Sequence, residues 1–159
     1  MGRQSKARVP LAAAERARFW LDKATDPTVD HEFLSREDIP PAGLFEYLSM
    51  ILAPLRTVER DLVNLQRIYR DGTRRFIEGG QIDGAFWSPA EEIPSTGTLI
   101  IVDRVETAAA VLRDMNLPAV AAMTPENKLC VAAAIREKFP NLVLVISEYG
   151  PIRTMGRLA

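Results

Sequence analysis

The sequence has few of the residues that build covalent and metal-dependent sites. Its 159 residues include one cysteine, Cys130, and one histidine, His31. A lone cysteine excludes an intramolecular disulfide and a cysteine-cluster zinc site, and a lone histidine leaves only one place for a Ser-His-Asp triad. We therefore interpret Cys130 as a buried, inert side chain on an apolar helix face, and His31 as a histidine at a helix end or on the surface.

A strong net charge and long apolar runs are also missing. The 20 lysines and arginines nearly balance the 21 aspartates and glutamates, so no overall field attracts the chain to nucleic acid or to a membrane. No apolar run approaches the ~20 residues of a membrane-spanning helix, and the first residues lack the apolar stretch of a signal peptide. We predict a cytoplasmic protein without membrane contact.

The residues that are present change in character along the chain and predict three segments. Residues 1–9 contain three basic side chains and no acid, so we expect a mobile basic tail. Residues 10–94 predict a small region of helices and a β-hairpin. Residues 95–159 predict an α/β domain, because apolar runs there alternate with helical patterns.

The middle segment begins with helical spacing and continues with strand patterns. We expect short helices over about 10–23 and 29–36, and strands between 47 and 87. The pair Asp71-Gly72 lies between two strand patterns and is a strong signal for a hairpin, because glycine accepts the positive φ of the turn. Pro54 is expected to interrupt its strand or to confine it to a sheet edge.

The last segment has the pattern of a parallel sheet. Continuous apolar runs at 98–102, 118–123 and 142–146 alternate with helical patterns at 105–115 and 124–139. Short links between such elements predict right-handed crossovers and strands buried on both faces. No glycine-rich phosphate loop follows the first run, which makes an ordinary nucleotide-binding Rossmann domain a poor interpretation.

Polar side chains follow each predicted strand, where the ligands of open parallel sheets usually bind. They are Asp103 and Glu106, Thr124 and Asn127, and Ser147 and Glu148. Carboxylates that converge at strand ends could hold Mg²⁺, which prefers oxygen ligands. The plain alternative is that Asp103 and Glu106 are ordinary acids in the first turn of a helix.

Arginines and aromatic residues are concentrated around the predicted hairpin. The members of this set are Arg56, Arg60, Arg67, Arg70, Arg74 and Arg75, with Tyr69 and Phe76 among them. Such a surface suits single-stranded DNA or RNA, because guanidinium groups neutralise phosphates and aromatic rings stack on bases. The alternative is a solvated hairpin face on which neighbouring acids balance the charge. We favour the nucleic-acid interpretation.

Residues 99–108, LIIVDRVETA, resemble the opening motif of a Toprim domain, in which a strand ends in Val-Glu-Gly and a helix follows. The likeness continues through 118–122 and 127–132 to the third apolar run. Further upstream, HEFLSR, LQRI and DGTRRF resemble the segment that precedes Toprim in plasmid- and phage-type bacterial primases. The resemblance covers about residues 12–150, and it implies a Toprim-like three-stranded parallel sheet with flanking helices.

The resemblance also implies roles for particular residues. In that family the motif glutamate is the general acid/base of nucleotidyl transfer, and an Asp-x-Asp pair after the third strand binds Mg²⁺. Asp103 stands at the glutamate position here, Arg104 at the glycine position, and Glu148-Tyr149-Gly150 where the Asp-x-Asp pair would be. Asp103 is thus the candidate catalytic residue, and Asp103 and Glu148 are the candidate metal ligands. We expect Arg104 to neutralise both acids in place of a metal.

These departures lead to a prediction of function. We predict a primase-related, Toprim-like protein of a mobile genetic element or its host, connected with DNA replication. It is expected to bind single-stranded DNA or RNA without a cofactor and with impaired or lost catalysis. The alternatives are an active Mg²⁺-dependent nucleotidyl transferase of the DNA primase type, and a protein-interaction or inhibitor module on the same fold. We also expect a truncated Toprim sheet, whose open edge would permit a homodimer.

Overall fold

Two β-sheets and four α-helices form the part of the chain that the structure describes. The computed structural model describes residues 2–147, with side chains from residue 9 onward. In chain order the elements are α1 (Gly2–Lys23), α2 (Glu32–Glu37), β1 (Phe45–Tyr47), β2 (Met50–Arg56), β3 (Leu62–Ile68), β4 (Arg74–Phe76), β5 (Gly97–Val102), α3 (Val105–Met115), β6 (Ala119–Ala121), α4 (Asn127–Lys138) and β7 (Leu142–Ile146). The predicted α/β fold class is confirmed.

The first sheet is an antiparallel meander in the order β1-β2-β3-β4. The predicted hairpin turn joins β3 to β4, with Gly72 at a φ of 92° and the Asp71 carboxylate accepting a hydrogen bond from the Thr73 N–H at 2.9 Å. That hydrogen bond holds the pKa of Asp71 below its usual range. The expectation that Pro54 interrupts its strand or confines it to a sheet edge is wrong, because β2 is continuous and lies between β1 and β3. Since β1 pairs only with residues 50–52 of β2, Pro54 has no partner in β1 that would need its N–H.

The helices before this sheet differ in part from the predicted ones. α1 begins at Gly2 rather than at Pro10, which therefore lies within the helix. His31 is the N-cap of α2: its Nδ1 accepts a hydrogen bond from the Phe33 N–H at 3.1 Å, and its Nε2 lies 2.8 Å from the Ser49 carbonyl oxygen. Both contacts require the tautomer in which Nε2 carries the proton. His31 is a helix-end histidine, as expected, but a buried one. The expectation that Cys130 is buried is wrong, because its side chain lies on an exposed part of the helix over residues 127–138.

The second sheet is parallel, in the order β6-β5-β7, as the apolar runs predict. The side chains of its central strand alternate between two layers. Ile100 and Val102 pack with residues of α3, whereas Leu99 and Ile101 pack with residues of α4. The two helices therefore cover opposite faces of the sheet, which explains why β5 is a continuous apolar run.

The two sheets share part of one hydrophobic core. One buried cluster contains Ile51 and Ile68 of the antiparallel sheet together with Ile100 of β5. Trp87 also links them, because its backbone pairs with Ala121 of β6 and its indole N–H donates to the Gly43 carbonyl at 2.8 Å. The expected division near residue 94 thus falls within a shared core, and the exact domain boundaries stay a prediction.

The outer edges of the parallel sheet differ. The backbone bridge from Trp87 lies beside β6, whereas β7 is an edge strand with Val143 and Val145 exposed to solvent. The predicted pairing of this edge with a second chain stays a prediction. Within the described residues, no helix is both long and apolar enough to cross a membrane.

Candidate functional site

A groove of about 560 Å³ opens where the parallel strands end and faces the β3–β4 hairpin. We call it the strand-end groove. Charged side chains dominate it: Arg36, Arg74, Asp103, Arg104 and Glu106 line its walls. The fold brings them together because the carboxyl ends of parallel strands meet at one edge of a sheet, and the antiparallel sheet packs against that edge.

Asp103, the residue directly after β5, forms an ion pair at the edge of this groove. Its Oδ1 lies 2.8 Å from Nζ of Lys128, the second residue of α4. The Lys128 side chain is only 8% exposed, and its ammonium group also donates to the backbone carbonyl of Ser147, just beyond β7. Lys128 therefore ties together the ends of β5 and β7 and the start of α4.

This arrangement corrects the expectation for Arg104. The guanidinium of Arg104 points toward Glu106, with Nη1 4.0 Å from Oε2, and its side chain is 69% exposed. Lys128 rather than Arg104 neutralises Asp103, because the lysine comes from the helix that starts beside the end of β5. Glu148, the other acid that Arg104 was expected to neutralise, lies outside the described residues.

Glu106 forms a second ion pair, with Arg74 of β4. The contact is bidentate, with N–O distances of 2.8 and 2.6 Å, and both side chains are largely buried. The guanidinium of Arg74 also lies 5.3 Å from the ring centre of Phe33. Since β4 and α3 belong to different layers, this pair helps to hold the hairpin against the parallel sheet.

Breaking this pair is expected to destabilise the fold measurably. A double-mutant cycle over Arg74→Ala and Glu106→Ala should give a coupling free energy of about 1–3 kcal/mol, because each single change leaves a poorly solvated charge without its counter-ion. The exposed pair of Arg60 and Glu92, 3.3 Å apart, is the matched control and should couple by less than about 0.5 kcal/mol in chemical denaturation. Equal coupling in the two cycles would contradict this account.

The described residues do not fit a Mg²⁺ ion in this arrangement. Mg²⁺ takes oxygen ligands and tolerates a nearby cation poorly, whereas the three acids that line the groove, Glu37, Asp103 and Glu106, are already paired with cations. Within residues 9–147 no three His, Cys, Asp or Glu side chains come close enough together to hold a metal ion. The pairing of Asp103 with Glu148 as metal ligands stays a prediction.

Asn127, another strand-end candidate, has a structural role. Its buried side-chain amide nitrogen lies 2.9 Å from each of the carbonyl oxygens of Ile82, Ala85 and Ala122, and its Oδ1 accepts a hydrogen bond from the Gly84 N–H at 2.8 Å. These contacts hold residues 82–85 against the end of β6. They engage both N–H donors of the amide and one lone pair of its oxygen.

The arginines of the predicted nucleic-acid surface lie in three separate places. Arg74 lies in the strand-end groove, and Arg70 lies beside it at the β3–β4 turn, with Nη1 3.9 Å from Glu32. Arg56 and Arg60 lie at the other end of the meander, at the end of β2 and in the turn after it. The predicted set is therefore not one continuous surface.

Of the remaining members of the set, Phe76 lines the strand-end groove, whereas Arg67, Tyr69 and Arg75 share the outer face of the sheet, toward α1. Arg67 lies 5.1 Å from the ring centre of Trp20 and donates to the Tyr69 hydroxyl at 3.3 Å. Arg75 pairs with Arg67 across the β3–β4 ladder and is exposed on the same face. Whether this face contacts nucleic acid stays a prediction.

Two basic residues of the groove were missed by sequence reasoning. Arg36 of α2 lies at the groove entrance and donates to the Arg70 carbonyl at 3.1 Å, a contact between distant segments that no local pattern signals. Lys128 did carry a signal. A lysine in the first turn of a helix is disfavoured by the helix dipole, so its presence at that position indicates a nearby acid.

Comparison with known proteins identifies the fold. No family model matches the sequence, and no curated protein matches it. The primase fragment of the bacteriophage T7 primase-helicase protein matches with a TM-score of 0.54 and 15% identity, over 71% of this chain and 52% of that one. A chain from the structure of T7 lagging-strand DNA polymerase with primase domains, an RNA/DNA hybrid and dTTP matches with a TM-score of 0.52 and 14% identity, over 78% and 70%.

These similarities show a primase-like fold. The chain spans about half the length of the T7 primase fragment. At such low identity the likeness concerns the fold alone, so the more specific resemblance to Toprim domains of plasmid- and phage-type primases stays an interpretation.

Proposed function

We propose that this chain is a primase-related protein that binds single-stranded DNA or RNA at the strand-end groove and has lost nucleotidyl transfer. The ion pair between Asp103 and Lys128 is the observation that carries the proposal. Asp103 follows the strand where the resemblance places the general acid/base and a metal ligand, and the lysine already occupies the space next to its carboxylate.

Electrostatics supports the loss of the metal. A divalent ion about 4 Å from the Lys128 ammonium would meet a repulsion of roughly 8 kcal/mol at an effective dielectric constant of 20. The lysine cannot easily move away, because it is nearly buried and also donates to the Ser147 carbonyl. Asp103 is thereby neutralised without a cofactor.

Three exposed arginines support the binding of a nucleic-acid backbone. The side chains of Arg36, Arg70 and Arg104 around the groove are 44%, 59% and 69% exposed. Arg36 and Arg70 each lie within 3.9 Å of a glutamate, but such solvent-exposed pairs are worth only about 0–1 kcal/mol. Arg104 lies 4.0 Å from Glu106, whose close partner is Arg74. A phosphate group can therefore replace the glutamate at little cost.

Titration of labelled single-stranded DNA and RNA at two salt concentrations tests this proposal. We expect Arg70→Ala and Arg104→Ala each to weaken binding at low salt, and to reduce the slope of log affinity against log salt by about 0.7, because each change removes one phosphate contact. Lys23→Ala removes an exposed cation from the end of α1, far along the chain from the groove, and should leave both quantities unchanged.

The same titration separates the proposal from its alternatives. Binding that the two groove variants leave unaltered would refute the assignment to the strand-end groove. Absence of binding at every salt concentration would favour the protein-interaction module instead. The predicted association with a mobile element and with DNA replication depends on the resemblance and stays a prediction.

A further inference from the structure

A second groove lies at the opposite edge of the parallel sheet, beside the amino ends of β5 and β7. We call it the rear groove. It has a volume of about 840 Å³, and its walls include Arg56, Arg60, Lys138, Phe45, Phe86 and Phe139. The β2–β3 turn, the segment before β5 and the end of α4 build it, so it shares no wall with the strand-end groove.

We propose that the rear groove binds a nucleoside polyphosphate, with the phosphates on its arginines and the base against its aromatic walls. The site is independent of the proposed function, because none of its residues lines the strand-end groove. Its volume is within the range of roughly 300–1,000 Å³ that small-molecule sites occupy, and it combines apolar walls with a few converging charges, as such sites do.

The three cations of this groove, Arg56, Arg60 and Lys138, outnumber its two acids, Glu91 and Glu92. The guanidinium of Arg56 donates to the Arg60 carbonyl, at 3.4 Å, and among the described residues it forms no ion pair. Burial lowers the pKa of Arg56, and the nearby charges of Arg18 and Arg60 lower it further. Like charges held together in this way favour the binding of an anion.

Arg60 is placed by an unusual backbone conformation. Its φ of 76° lies in the left-handed region, where glycine or asparagine is the common residue, yet the turn between β2 and β3 presents an arginine there. In its ion pair with Glu92 both side chains are exposed to solvent, and the pair therefore contributes little stability. A phosphate can displace that glutamate, as at the other groove.

The apolar walls suit a flat aromatic group. Phe139 is partly exposed beside the nearly buried Phe86, and both residues line the groove and belong to one hydrophobic cluster. Lys138 donates to the Val58 carbonyl at 3.2 Å, and its ammonium lies 5.9 Å from the ring centre of Phe139. A base stacked on the aromatic wall would therefore place its phosphates near this cation and the arginines.

Binding of a fluorescent N-methylanthraniloyl ATP to the full chain tests the proposal. We expect saturable binding that Arg56→Ala and Lys138→Ala each weaken by at least about tenfold, since each removes a phosphate partner. Lys23→Ala is the control and should bind like the wild type. Arg104→Ala should also bind normally, and this result separates the rear groove from the strand-end groove.

Competition then identifies what the groove recognises. ATP should compete at least about tenfold better than inorganic tripolyphosphate, because the polyphosphate lacks the base. Equal competition by the two, binding that Arg56→Ala does not change, or no saturable binding would each overturn the proposal. Nucleic-acid binding by Arg70→Ala and Arg104→Ala tests the strand-end groove and does not affect the nucleotide titrations. Either proposal can therefore fail without the other.

Discussion

Asn127→Ala is expected to lower the free energy of unfolding by about 3–5 kcal/mol, and the thermal midpoint by roughly 10 °C. The amide lies at a position that is 2% exposed, and alanine would leave the carbonyls of Ala85 and Ala122 and the N–H of Gly84 without this partner, whereas the Ile82 carbonyl would keep the Ala85 N–H. Unpaired polar groups in a buried site lose their hydration without compensation.

The same substitution at an exposed asparagine is the control for Asn127→Ala. Asn141→Ala, at an exposed position just before β7, should shift the free energy of unfolding by less than about 0.5 kcal/mol. Chemical denaturation of both variants measures the difference. A similar small effect at both sites would mean that Asn127 does not hold the loop, and would reopen its interpretation as a ligand at the strand end.

Lys128→Leu is expected to create affinity for a divalent cation that the wild-type chain lacks. The change removes the ammonium that lies 2.8 Å from Asp103 and so relieves a repulsion of several kcal/mol toward a bound Mn²⁺. We expect Mn²⁺ to bind at least about tenfold more tightly than to the wild type. Electron paramagnetic resonance of free Mn²⁺ measures the affinity, and circular dichroism verifies that the variant is folded.

Two controls identify the source of this gain. Arg104→Gly removes another cation from the same groove but should leave Mn²⁺ affinity unchanged, because Arg104 lies beside Glu106 rather than Asp103. The double variant Asp103→Asn/Lys128→Leu should lose the gain. Equal affinity of the wild type and folded Lys128→Leu for Mn²⁺ would show that the lysine does not replace a metal.

The fold was largely predictable from local patterns. The three apolar runs, the alanine-rich helices between them and the Asp71-Gly72 turn each carry their own signal, because strands buried on both faces and tight turns constrain residues close in sequence. The predicted start of α1 at Pro10 was wrong. Proline is common at the first position of a helix, so the sequence favoured a start there, whereas the helix begins at Gly2.

The candidate site was less predictable because its contacts join distant segments. Strand ends identified Asp103, but whether Lys128 or Arg104 neutralises it depends on how α4 starts beside β5. The arginines of the hairpin are close in sequence, but successive side chains of a strand point to opposite faces of the sheet. Arg74 therefore lies in the groove and Arg75 on the outer face. Sequence proximity alone therefore did not define a surface.

Primer synthesis on a single-stranded template, with labelled nucleoside triphosphates and either Mg²⁺ or Mn²⁺, tests the central claim most directly. Template binding is followed by fluorescence anisotropy in the same reaction. The account predicts that the wild-type chain binds the template yet forms no more product than Asp103→Asn does. A metal-dependent product that Asp103→Asn abolishes would contradict the account, and would show that Asp103 still acts as the general acid/base of an active enzyme.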